Sequence, residues 1–102
     1  MNLAIQIAKK DNVGTAIQDL IPEQIVKIID KNDKEIFTLK VKEYIKNGHK
    51  IALQDIERES LIYKYGYVIG KATKKINKGE WVHIHNIESQ KARGDLADYR
   101  NF

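Results

Sequence analysis

A chain of 102 residues with 42% apolar and 31% charged side chains has the make-up of a folded domain rather than a disordered segment. Its length suits one small core. The absence of cysteine excludes disulfides, thiolate nucleophiles and thiolate-held metals or clusters within the chain.

The net charge is +4, but the lysines are scattered singly or in pairs such as Lys9-Lys10 and Lys74-Lys75, with acidic residues between them. That pattern describes a solvated surface, and it also suits an anionic substrate or an acidic partner; it does not form the basic stripe of a nucleic-acid binder. No apolar run approaches the ~20 residues of a membrane-spanning helix, and Met1-Asn2-Leu3-Ala4 starts no basic leader. A cytoplasmic location, away from membrane and nucleic acid, is therefore expected.

Taken in chain order, Leu3 to Ala8 alternates with period two, which predicts a strand with Leu3, Ile5 and Ile7 on one face. Asp11-Asn12 is placed to cap a short helix in which Val13, Ala16, Ile17 and Leu20 share a face and which Pro22 ends. The β-branched and aromatic runs Ile25 to Ile29 and Ile36 to Val41, joined by Asp30-Lys31-Asn32-Asp33, predict a hairpin. Further strands are expected at Lys50 to Leu53, Leu61 to Tyr65, Tyr67 to Lys71 and Trp81 to His85, with turns at Asn47-Gly48, Gly66 and Asn77-Lys78-Gly79. Residues 1–88 form a mainly β domain with one short helix near the N-terminus, and residues 89–102 a polar C-terminal tail that a partner could order.

A weak internal repeat organises the second half. Ile45, Gly48, Ile51, Leu53, Asp55 and Ile56 match Ile76, Gly79, Val82, Ile84, Asn86 and Ile87 in character and spacing. In each copy the glycine permits a tight turn, two alternating apolar residues face the core, and Asp or Asn closes the strand.

With Val82 and Ile84 directed inward, alternation puts Trp81, His83 and His85 together on the opposite face, whereas the first copy carries Ala52 and Gln54 at the histidine positions. The repeat itself thus makes no demand for histidine. Two imidazoles on one face, followed by Asn86, could bind a metal, orient a carboxylate or move a proton near neutral pH; a plain pair of surface histidines is the simpler alternative. A metal site would need a further ligand, supplied by another chain. Asp11 and Asn12 are either helix caps or the mouth of an anion site built from the N–H groups of Val13, Gly14 and Thr15. Gly14 in a first helical turn points to close approach by another group. Tyr63 to Gly70 reads as a sheet with an aromatic layer, and His49 as a solvated residue beside the turn glycine.

Asp11-Asn12-Val13-Gly14-Thr15-Ala16-Ile17, Gly48-His49-Lys50-Ile51-Ala52-Leu53, Tyr65 to Ala72, Lys78 to Asn86 and Arg93-Gly94-Asp95 together resemble, in order, the N-terminal domain of the altronate/galactarate dehydratase family. The resemblance implies a SAF-type β-clip fold and a hydro-lyase that removes water beside a sugar-acid carboxylate, supported by a divalent metal such as iron or manganese. It implies a small subunit working with a large dehydratase subunit. His83 and His85 would be catalytic or metal-binding, and Asp11, Asn12, Asn86 and Arg93 would serve substrate binding. The alternatives are a free-standing carbohydrate- or sugar-acid-binding module and the small subunit of a sulfolactate sulfo-lyase.

Overall fold

A computed structural model describes residues 2 to 89. Nine strands, β1 (Leu3–Ile5), β2 (Val13–Ala16), β3 (Ile25–Ile29), β4 (Glu35–Lys40), β5 (Lys50–Ala52), β6 (Leu61–Lys64), β7 (Tyr67–Ala72), β8 (Trp81–Val82) and β9 (Ile87–Ser89), make two sheets. The larger has the order β4-β3-β1-β2-β5-β8 and the smaller β6-β7-β9. All pairings are antiparallel except β1 with β3.

The β3–β4 hairpin forms as expected. Asp30 closes its turn, its carboxylate accepting the N–H groups of Asn32 at 2.8 Å and Lys34 at 3.0 Å. These bonds hold the carboxyl below its ordinary pKa.

The expected helix does not form. Val13 to Ala16 is a strand between β1 and β5, with Ala16 opposite Ala4 and Gly14 opposite Ile51. The helical spacing of Val13, Ala16, Ile17 and Leu20 is outweighed by pairing on both edges, and Val13, Ala16 and Leu20 are still buried. The close approach that Gly14 hinted at is that of the neighbouring strand, since a Cβ there would stand 2.9 Å from the Ile5 carbonyl oxygen. The first strand also ends earlier than its alternation suggests. Ala4 is its buried residue, and Ile7 is exposed.

The repeat extends further than the sequence shows. Residues 13–24 correspond to 49–60, and 41–53 to 72–84. Leu20 bridges Ile45 as Ile56 bridges Ile76. The Glu23 N–H bonds to the Val41 carbonyl as that of Glu59 bonds to Ala72, both at 2.8 Å. Asp19 accepts the Asn47 N–H as Asp55 accepts that of Lys78, both at 2.9 Å. Asp55 therefore ties its strand to the turn of the next unit rather than closing its own.

The buried side chains gather into two cores. Ala4, Ala16, Leu20, Val26, Ile28, Leu39, Val41, Ile45, Ile51 and Leu53 make the first, and Val13, Ala52, Ile56, Ile62, Ala72, Ile76, Val82 and Ile87 the second. Strand β5 supplies Ile51 to one core and Ala52 to the other, so both of its faces are buried.

The repeat also makes a matched pair of glycines. Gly48 has φ 91° and Gly79 φ 92°, a backbone region unfavourable to any side chain. Open space surrounds a Cβ at position 48, while one at 79 would collide with the Lys40 carbonyl. Gly48→Ala is expected to cost about 1–2 kcal/mol and Gly79→Ala about 3 kcal/mol or more. The two urea-unfolding midpoints measure the difference.

Candidate functional site: an imidazole cluster around Trp81

Strand β8 runs antiparallel to β5, with Lys50 opposite Val82 and Ile51 opposite Trp81. Continued by one residue, this register sets His49 across from His83. The Trp81 ring organises what lies there. His83 stacks on it at 5.3 Å between centroids and 12° between planes, and His85 leans on it at 4.7 Å and 37°. His49 lies 5.7 Å from Trp81 and 5.2 Å from His83. The Trp81 indole N–H donates to His49 Nδ1 at 3.1 Å, so that nitrogen carries no proton and the neutral ring keeps its hydrogen on Nε2. At the base of the cluster, Glu43 accepts the Trp81 backbone N–H at 2.9 Å.

Trp81, His83 and His85 do come together, although by a different route from a continuous strand. Strand β8 ends at Val82, and residues 83–86 turn. Asn86 causes the break. Its Oδ1 accepts the His83 N–H at 3.0 Å and its Nδ2 donates to the Trp81 carbonyl at 2.9 Å, which occupies groups a longer ladder would use. The N–H groups of Asn86 and Ile87 both donate to the His83 carbonyl. Ile84, expected in the core, is consequently exposed while its counterpart Leu53 is buried.

His83 is the least satisfied group of the cluster. Its Nδ1 is buried and has no hydrogen-bond partner. Burial, followed by the nearby Lys50 ammonium and the neighbouring His49 and His85 imidazoles, holds its pKa below the ordinary value, so the ring is neutral near pH 7.

Lys50 is 2% exposed, and burial, with a smaller contribution from Lys64, pushes its ammonium down to about 8. The unfolded chain holds that proton up to about 10.5, so the folded state carries the full penalty below pH 8 and gains stability as the pH rises from 8 towards 10.5. Lys50→Met keeps the stem and removes the charge. It is expected to raise stability at pH 7 by about 1–2 kcal/mol and to flatten the rise, as compared by urea midpoints at pH 7 and 10.

The other residues expected at the site divide. Asn86 belongs to it as the clip of the turn. Asp11 and Asn12 are buried, and their hydrogen bonds run to the β6–β7 hairpin instead of the imidazoles. The Asp11 carboxylate accepts the N–H groups of Ala8 at 3.0 Å, Tyr65 at 2.9 Å and Gly66 at 2.8 Å. Asn12 pairs with β6 as a strand residue would, donating to the Leu61 carbonyl and accepting the Tyr63 N–H, both at 2.9 Å. With no helix present, the expected helix-terminus anion site is absent. Arg93 lies outside the described residues. His49, read as solvated, and Glu43 were missed; the β5–β8 register was the signal that would have placed His49.

Among the described residues, no three His, Asp or Glu side chains stand where they could hold one metal ion. A catalytic metal normally takes three protein ligands, so an iron or manganese ion held by His83 and His85 would need a further ligand from another chain, as expected of a site completed by a large subunit. A groove of about 490 Å³, lined among others by Ile7, Lys9, Asp30 and Ile36, lies towards the β3–β4 end of the large sheet. It shares no residue with the cluster, in which His49, Trp81 and His83 are half-buried and His85 is exposed.

Among the described residues the domain is built of strands and turns, and the turn after β8 carries histidines packed on Trp81. Residues 2–90 match the altronate/galactarate dehydratase SAF domain, and the chain belongs to that family. It is 36% identical over 97% of its length to the altronate dehydratase of Bacillus subtilis, and 36% identical over 94% to that of Escherichia coli. The chain spans about a fifth of the length of these relatives, 19% and 18%. It is also 37% identical over half its length to (2R)-sulfolactate sulfo-lyase subunit alpha of Chromohalobacter salexigens. The 51 matched residues are 54% of that subunit, which is therefore a chain of about this size. No described helix is long and apolar enough to cross a membrane.

Proposed function

We propose that this chain is the small subunit of a sugar-acid hydro-lyase of the altronate/galactarate type and lends its imidazole cluster to an active site completed by a large dehydratase subunit. The observation that carries the reading is His83, a half-buried ring packed against His49 and Trp81 whose buried Nδ1 has no hydrogen-bond partner within the chain. Buried polar atoms in folded proteins are nearly always paired, and an exception marks a place for a ligand.

The reaction removes a proton from the carbon beside a carboxylate and hydroxide from the next carbon, and the two leave as water. A neutral His83 can accept a proton at a ring nitrogen, and the exposed His85 is the group assigned to give one to the departing hydroxyl. His49 and Trp81 keep the rings oriented. Asn86 fixes the turn, and Asp11 and Asn12 secure the framework behind it. Arg93 is assigned the sugar-acid carboxylate on its chemistry alone, since a guanidinium binds carboxylate through two parallel hydrogen bonds. A divalent metal, where one is used, supplies stabilisation of the enediolate charge and draws its remaining ligands from the large subunit.

Native purification of this chain from its own cells, followed by assay of water elimination from altronate and galactarate, tests the reading. Recovery with a dehydratase-like large chain and elimination activity supports it. Recovery of the chain alone, inactive, overturns it. A second reading, the small subunit of a sulfolactate sulfo-lyase, is supported by the 37% identity to the Chromohalobacter subunit alpha over half of this chain. Release of sulfite from sulfolactate by the same preparation would select it.

A further inference from the structure

The turn that carries the histidines also carries an apolar side chain that the fold leaves uncovered. Ile84 is 71% exposed, against 4% for its counterpart Leu53. This exposure is built in. Backbone bonds from Asn86 and Ile87 to the His83 carbonyl and the two side-chain bonds of Asn86 fix residues 83–86, and the flanking His83 and His85 rings rest on Trp81.

We propose that Ile84 is the knob by which this chain docks on the dehydratase body, the part that accounts for the remaining four fifths of the altronate dehydratases' length. It would insert into an apolar socket whose rim accepts hydrogen bonds from the imidazoles. The inference rests on the lyase reading above and adds the place where the two parts meet.

The occupant follows from three observations. The relatives that match this chain almost end to end are about five times longer, so the family supplies a large body that can cover this face. The turn is already rigid, so burying Ile84 costs little ordering entropy. An apolar side chain ringed by polar groups is also the pattern of an interface hot spot. A second copy of this chain fits less well, because two-fold pairing at Ile84 would set one histidine turn against an identical one and bring no dehydratase body to it.

Because the chain has no cysteine, Ile84→Cys accepts a photo-cross-linker at a unique position. Ile25→Cys, on β3 far along the large sheet and 55% exposed in the parent, is the control. Cross-linked products from native extract are identified by peptide mass spectrometry. Position 84 is expected to join a dehydratase-like large chain and position 25 is not. In parallel, Ile84→Asp is expected to lower recovery of that chain at least about tenfold with an unchanged circular dichroism spectrum and melting point, and Ile84→Leu to retain it. A cross-link from position 84 to a second copy of this chain, or full recovery with Ile84→Asp, overturns the proposal while leaving the lyase reading intact. If the parent chain brings down no dehydratase-like partner, the lyase reading fails and the docking proposal fails with it.

Discussion

His83→Ala in the assembled enzyme is expected to lower kcat for sugar-acid dehydration by about 10²–10⁴-fold, the range that general acid–base groups contribute. Assembly and melting temperature should stay close to the parent, because the His83 ring makes no hydrogen bond through Nδ1 and the variant loses ring contacts with Trp81 and His49 alone. His85→Ala removes an exposed ring from the same tryptophan face and should cost activity with still less effect on folding. Steady-state kinetics on co-purified complexes give both numbers. Unchanged turnover in both variants would remove the imidazole cluster from the active site. A His49→Phe variant sharpens the comparison, since it keeps the ring but loses the acceptor of the Trp81 indole N–H, so its effect reports on orientation rather than on proton transfer.

The largest stability effect is expected from Asp11→Ala. Three backbone N–H groups, those of Ala8, Tyr65 and Gly66, lose their acceptor together, at partly buried bonds to a buried carboxylate. Each buried donor left unmet costs about 1–3 kcal/mol, and the bonds lost are charge-assisted. A total near 4 kcal/mol is expected, a large share of the 5–15 kcal/mol by which domains are stable. Tyr65 and Gly66 both have positive φ, 56° and 82°, so the carboxylate also holds a two-residue turn in the geometry that suits the hairpin twist. Asp11→Asn, which keeps one acceptor oxygen, should fall between parent and alanine. Urea unfolding at constant pH ranks the three, and a midpoint for Asp11→Ala equal to that of the parent would show that the turn does not depend on this carboxylate.

Much of this organisation could be read from the chain in advance, and the failures share a cause. The β3–β4 hairpin was legible because its two apolar runs and its Asp30 turn are local. The gathering of Trp81, His83 and His85 was legible because alternation set them on one side, even though the strand stops at Val82. Helix was expected at Val13 to Ala16 because spacing alone cannot register two neighbouring strands, and the partners that decide the matter, β1 and β5, come from distant parts of the chain. Ile84 was placed inside by analogy with Leu53, and what separates them is the side-chain amide of Asn86, a capacity that an Asp at the equivalent position 55 lacks. His49 looked like a turn residue until strand register set it opposite His83.

The two correspondences that relate the units overlap, and residues 49–53 belong to both. In the first they play the part of the early strand, and in the second that of the late one, with Ile51 in one core and Ala52 in the other. The molecule is therefore not a pair of half-domains joined by a linker. Neither half has a full set of strands without the piece it shares with its twin, and there is no seam along which one can melt while the other stays folded. Cooperative, all-or-none unfolding is built into the way the chain uses this segment twice.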